Sequence, residues 1–273
     1  MQTGLREIAE RVGAPIELAE AIYESLPAGL RSVEVRRDVD SGALSYHLGG
    51  LIDRLDGGAV VWANREAPAL NRLWDCLVAC HLRLDKRSLE LVIGQLAHVP
   101  SHKEFLEEVA IIRGVPAGVR LDYEVALLDD QGKTVDWQLT PARGPILLVE
   151  AKARSADLVQ HLNQILPIIR AGAKVIDTGV KLPDATLLFR SIADKFPARQ
   201  PGLFLQGAWI VTSIKHHEKE LLAAFEAIDP MKLHFAILAT SERQAFVLKR
   251  NGVPGEYLRA VLRFEESRDL VVG

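Results

Sequence analysis

Thr134 to Ala153 reads TVDWQLTPARGPILLVEAKA. Two runs rich in strand-forming residues flank Thr140 to Pro145, a short polar segment containing Gly144, so the stretch predicts a hairpin. With that loop at its tip, cross-strand partners sum to about 285 or 286, which sets Asp136 opposite Val149 or Glu150. Residues two apart in a strand share a face. Thr134, Asp136 and Gln138 therefore fall on one face, and Val135, Trp137 and Leu139 on the other. Glu150 and Lys152 share a face of the partner strand. The register pairing Asp136 with Glu150 brings the two Cβ atoms to roughly 5 Å.

Two carboxylates that close repel unless a cation lies between them. A hard divalent ion answers this need, because Mg²⁺ takes oxygen ligands and is held by one or two carboxylates with water and phosphate. Such an ion polarises a phosphoryl oxygen and acidifies its water. A neighbouring lysine orients that water or stabilises charge on the phosphorane. The plainer reading is a solvated hairpin face on which Lys152 bridges two acids, an arrangement of little energetic weight. Ile146 to Val149 is a continuous apolar run, however, and predicts a strand buried on both faces. Charges that end such a strand are costly without a role.

Outward from the hairpin, the chain after Pro100 reads as helix, three strands, helix, strand, helix, strand. Ser101 is an N-cap candidate for a helix from His102 to Arg113, with Phe105, Val109 and Ile112 as its apolar stripe and Gly114 as its stop. Val119 to Leu128 alternates as a strand, followed by a turn at Asp129 to Gly132. Ser155 is a candidate cap for a helix reaching about Ala171. Gly207 to Thr212 predicts a strand, His216 to Ile228 a helix, Leu233 to Thr240 a strand, and Ala245 to Lys249 another. This order predicts an α/β or α+β sheet with helices against it.

The motif Val135-Asp136-Trp137, followed by Leu147-Leu148-Val149-Glu150-Ala151-Lys152, resembles the core of the PD-(D/E)XK, restriction-endonuclease-like nuclease superfamily, with valine in place of the proline. The resemblance spans about residues 101 to 213. It implies an α/β fold with a core of helix, three antiparallel strands, helix and strand. It implies hydrolysis of nucleic-acid phosphodiesters, DNA favoured, with Mg²⁺ or Mn²⁺ held by Asp136, Glu150 and the backbone carbonyl of Ala151. Lys152 becomes the catalytic lysine. A glutamate from the preceding helix is expected to join them, with Glu104 favoured over Glu107 and Glu108. A polar residue of the next helix is also expected, with Gln160 ahead of His161 and Gln164. Homodimers are frequent in that superfamily and allow both strands of a duplex to be cut. Two other readings stand beside this one: a nuclease-fold module without catalysis that binds nucleic acid or a protein, and a phosphodiesterase acting on small nucleotides.

The remainder of the 273 residues adds context. At roughly 150 residues per domain the length suggests about two domains, or one domain with an extension, with residues 1–98 as a mostly helical region and 99–273 as the nuclease-like domain. The formal net charge of −3 neither demands nor excludes nucleic acid. MQTGLREIAERVG lacks an apolar signal core, and no apolar run reaches the roughly 18 residues that span a bilayer. The expectation is a cytoplasmic protein without membrane association. Leu5, Ile8, Ala9 and Val12 form one helical stripe, and Ile16, Ala19 and Ile22 a second before Pro27. Glu17, Glu20 and Glu24 give that second helix the wrong sign for a DNA groove. Val33, Val35 and Val39, with Ala59 to Trp62, suggest a small meander. Ala69 to Leu84 and Ser88 to Ala97 predict helices. Cys76 and Cys80 read as buried helix thiols, since two further zinc ligands are not evident. His216 and His217 read as a solvated helix start. Lys249, Arg250, Arg259 and Arg263 are candidate groove residues. Tyr123 and Trp137 read as core, and Glu124 as an accessory acid.

Overall fold

The structure is a computed structural model that describes residues 1–32, 61–98, 102–127, 132–154, 185–212, 218–239, 244–262 and 266–272. Helices α1 (Gln2–Val12) and α2 (Ile16–Ser25) coincide with the two apolar stripes, and Gly13 ends the first with φ of 69°. A short α3 (Ala28–Arg31) follows. Helix α4 (Val61–Arg83) begins two turns ahead of the expected Ala69, so Val61 and Trp62 are helical rather than part of a meander. The helix runs through Pro68. Val33, Val35 and Val39 lie outside the described residues. Helix α5 (Lys86–His98) starts where Asp85 Oδ1 accepts the amide N–H of Ser88 at 2.7 Å. The helix expected over His102 to Arg113 is divided into α6 (His102–Val109) and α7 (Ile111–Gly114).

Strands β1 (Val119–Ala126), β2 (Thr134–Pro141) and β3 (Ile146–Arg154) form an antiparallel meander. Helix α8 (Ala185–Ala193) stands between β3 and β4 (Phe204–Thr212) in the chain, and β4 lies parallel to β3. After α9 (Glu218–Glu226) come β5 (Phe235–Ala239), parallel to β4, and β6 (Gln244–Arg250), antiparallel to β5. Helix α10 (Gly255–Val261) leads to β7 (Glu266–Val272), parallel to β6. Among the described residues the strands make one mixed sheet in chain order, and the class is α/β. Helices α8 and α10 and strand β7 were not anticipated. The buried set Leu188, Phe189, Ile192 and Ala193 of α8 does carry helical spacing.

Each face of the sheet closes a hydrophobic cluster. Trp137, Leu139, Leu147, Val149 and Ala151 join Leu5, Leu77, Val92 and Val109 from the helices on one side. Leu148, Ala208, Ile210 and Leu238 join Phe189, Ile192 and Phe225 on the other. Strand β3 is thus buried on both faces, as its apolar run predicted. The first cluster runs from Leu5 to Leu262 and crosses the boundary expected near residue 98. Polar ties cross it too. Arg83 donates to the carbonyls of Val115, Pro116 and Val119 at 2.6, 2.9 and 3.0 Å, and Ser88 Oγ accepts the Tyr123 amide at 3.1 Å. Among the described residues no helix is long and apolar enough to cross a membrane.

The alternation expected along β2 slips at Asp136. Trp137 and Leu139 face the first cluster, but Val135 faces the second. Strand β1 switches in step, with Leu121 and Tyr123 in the first cluster and Val125 and Leu127 against the second. The switch coincides with Glu124, whose φ of 47° turns the backbone out of the pleat. The β1–β2 ladder keeps its register on either side, Tyr123 with Trp137 and Val125 with Val135, and skips Glu124 and Asp136.

Candidate active site

The β2–β3 ladder pairs Trp137 with Val149, Gln138 with Leu148 and Leu139 with Leu147, so partners sum to 286. Continued one step, that register sets Asp136 beside Glu150. The regular ladder ends there, and the Asp136 carboxylate takes over a backbone contact: Oδ2 accepts the amide N–H of Ala151 at 2.9 Å. Glu150 is held between neighbouring strands, paired in register with Ala208 of β4, and is fully buried.

A buried carboxylate needs counter-charge. Two ammonium groups supply it on one oxygen. Lys152 Nζ lies 2.9 Å from Glu150 Oε1 and 3.8 Å from Asp136 Oδ2, and Lys195, just beyond α8, contacts the same Glu150 Oε1. Glu150 Oε2 has no hydrogen-bond partner among the described residues. Glu108 of α6 reaches the same region, its Oε1 accepting the amide N–H of Ala153 at 3.2 Å. Glu108, Asp136 and Ala151 also line a shallow notch with Phe105, Val109 and Tyr123.

Burial, then the adjacent Glu150 charge, pushes the Asp136 carboxyl up to about 7, against the pull of Lys152, Lys195 and the Ala151 amide. Burial alone lowers the Lys152 ammonium, but Asp136 and Glu150 outweigh it and the net shift is upward. Lys152 is therefore a cation at neutral pH in this arrangement, not a free base. Burial and a neighbouring like charge both favour the neutral form of a carboxyl.

Asp136, Glu150, Ala151 and Lys152 thus come together as the sequence predicted. Of the three helix glutamates, Glu108 is the one observed at the site. Glu107 is occupied by Arg72 at 2.6 Å, and the side chain of Glu104 lies outside the described part of α6. Periodicity favours Glu108 as well, since Phe105, Glu108, Val109 and Ile112 share a helical face. Gln160, His161 and Gln164 lie outside the described residues, as do His216, His217 and Arg263. Glu124 Oε1 accepts from Gln95 Nε2 at 2.8 Å. Arg250 is not a groove residue. It is buried, donates to the carbonyls of Phe225 and Ile228 at 2.6 Å each, and lies over the Phe225 ring at 4.4 Å. It closes the end of α9. Cys76 and Cys80 are free and buried. Lys195 was not anticipated, because it lies far along the chain with no motif around it.

Among the described residues no three His, Cys, Asp or Glu side chains gather as a ready-made metal cage. Two carboxylates and a backbone carbonyl are nevertheless ordinary oxygen ligands of Mg²⁺. Glu150 Oε2, without a hydrogen-bond partner among the described residues, fits that set. Comparison with protein-family models, curated proteins and solved structures returns no match to this chain.

Proposed function

We propose that this chain is a Mg²⁺- or Mn²⁺-dependent nuclease with a restriction-endonuclease-like core, acting on nucleic acid and most readily on DNA. One observation carries the reading: the motif residues Asp136, Glu150 and Lys152 converge where the β2–β3 ladder ends, around a fully buried carboxylate with one oxygen unpartnered. The order helix, antiparallel β1–β2–β3 and parallel β4 is consistent with the same core, whose expected helix from Ser155 to about Ala171 lies outside the described residues.

In this reading Asp136, Glu150 and the Ala151 carbonyl hold the ion. When bound, the ion polarises a phosphoryl oxygen and acidifies a water molecule. The protein's own part is to orient and to neutralise. The Ala151 N–H fixes the Asp136 carboxylate, and Glu108 ties α6 to the end of β3 through the Ala153 amide. Lys152, protonated at neutral pH, places positive charge beside the reacting phosphate and stabilises the phosphorane. Pairing of two chains would let both strands of a duplex be cut.

A second reading, a nucleic-acid or protein-binding module without catalysis, draws support from the two lysines that already neutralise Glu150. Incubating wild type and Glu150→Gln with supercoiled plasmid, in Mg²⁺, Mn²⁺ or EDTA, separates the two. Metal-dependent nicking by wild type alone is the expected result. Plasmid retarded on the gel but uncut in every buffer favours the binding module.

A further inference from the structure

We infer that Lys195 is an exchangeable counter-ion of Glu150, holding the buried carboxylate while the site is free of metal and competing with the divalent ion for it. The inference rests on the metal-site reading above. Lys152 and Lys195 both contact Glu150 Oε1, but they are not equivalent. Lys152 lies on the same strand, is three-quarters buried and has a second carboxylate, Asp136, within 4 Å. Lys195 follows α8 and has Glu150 as its carboxylate partner at the site. Its side chain is 39% exposed, so its ammonium can swing into water at little desolvation cost. The charge count points the same way. Asp136 and Glu150 present two carboxylates to two ammonium groups. A divalent ion added beside both lysines leaves an excess of positive charge, and departure of Lys195 reduces it. The released ammonium is then free to meet a phosphate of the nucleic-acid backbone.

This makes Lys195 a positioning residue, with a signature in metal binding that a packing role does not produce. The full-length protein is titrated with Mn²⁺ alone, and free Mn²⁺ is followed by electron paramagnetic resonance for wild type, Lys195→Met, Lys195→Arg and Glu150→Gln. Lys195→Met removes the competitor, so Mn²⁺ binds about tenfold more tightly. The same variant melts at a lower temperature in EDTA and regains the difference when Mn²⁺ is added. Lys195→Arg keeps the charge and grips the carboxylate with a fork, so Mn²⁺ binds more weakly than to wild type. Should Lys195→Met fail to fold without metal, the Lys195→Arg titration still decides. Mn²⁺ affinity unchanged in Lys195→Arg, or weakened in Lys195→Met, overturns the counter-ion role while leaving the metal site intact. Mn²⁺ binding that persists unaltered in Glu150→Gln, or that is absent from wild type and Lys195→Met alike, overturns the metal-site reading and this inference with it.

Discussion

Asp136 Oδ2 accepts the backbone N–H of Ala151 at 2.9 Å, where the regular β2–β3 ladder gives way. That contact fixes an acidic side chain of β2 against the strand that carries Glu150 and Lys152. It also leaves two like charges close together in a poorly solvated place, and the cost is readable in stability.

The Asp136 carboxyl is raised from 3.8 to about 7, first by burial and then by Glu150. A folded-state value above the unfolded one means that this group's contribution to stability is complete below about pH 4. It is lost as pH rises through about 7. Asp136→Asn keeps an oxygen for the Ala151 amide and never ionises. In EDTA it should therefore match wild type in stability near pH 4 and gain on it as pH rises, by roughly 2–4 kcal/mol at pH 8. Urea denaturation at the two pH values measures the difference.

Glu108 and Glu107 are neighbours in α6 with opposite expectations. Glu108→Gln loses the charge at the Ala153 amide and should lower metal-dependent cleavage by about tenfold with little change in melting temperature. Glu107→Gln loses only an outward pair with Arg72 and should leave cleavage unchanged. Steady-state cleavage rates of the two variants check the assignment, and equal effects would remove Glu108 from the site.

His234 is buried, its Nδ1 accepting the Gln206 amide at 3.0 Å and its Nε2 facing the Arg199 carbonyl at 2.9 Å. Burial holds its pKa below the usual 6.5. The unfolded chain then binds a proton that the folded one refuses, so this group's stability is present above pH 6.5 and lost as pH falls through the folded value. In Asp136→Asn, where the opposing titration of Asp136 is absent, denaturation midpoints should drop between pH 7 and pH 5, and adding His234→Gln should flatten that part of the profile.

Burial pushes the Cys76 thiol up to about 12 and Cys80 well above its ordinary value. Neither thiol should react with Ellman's reagent in the native protein, and both should react at once in denaturant. Rapid labelling of the native protein would show that α4 opens in solution.

The hairpin and its register could be read from Thr134 to Ala153 because a short loop and a buried apolar run leave few alternatives. The same period-two reasoning failed at Val135, because it assumes an unbroken pleat and Glu124 breaks the pleat with a positive φ. Glu108 shares the α6 face of Phe105, Val109 and Ile112, and that spacing is what brings it to the end of β3. Lys195 was out of reach altogether: its place at Glu150 depends on the crossover from β3 to β4, which no local pattern encodes. Leu5, Leu77 and Val92 of the N-terminal region share a core with Trp137 and Val149, a packing that length does not encode.

The most direct measurement compares wild type with Lys152→Ala on plasmid, linear duplex and single-stranded DNA, each in Mg²⁺, Mn²⁺ or EDTA. Both proteins are first shown to be folded by circular dichroism. Cleavage of at least one substrate by wild type in metal, none in EDTA, and a loss of about 100-fold or more in Lys152→Ala is the predicted result. Equal metal-dependent cleavage by the two proteins would contradict the assignment of Asp136, Glu150 and Lys152 as the catalytic centre.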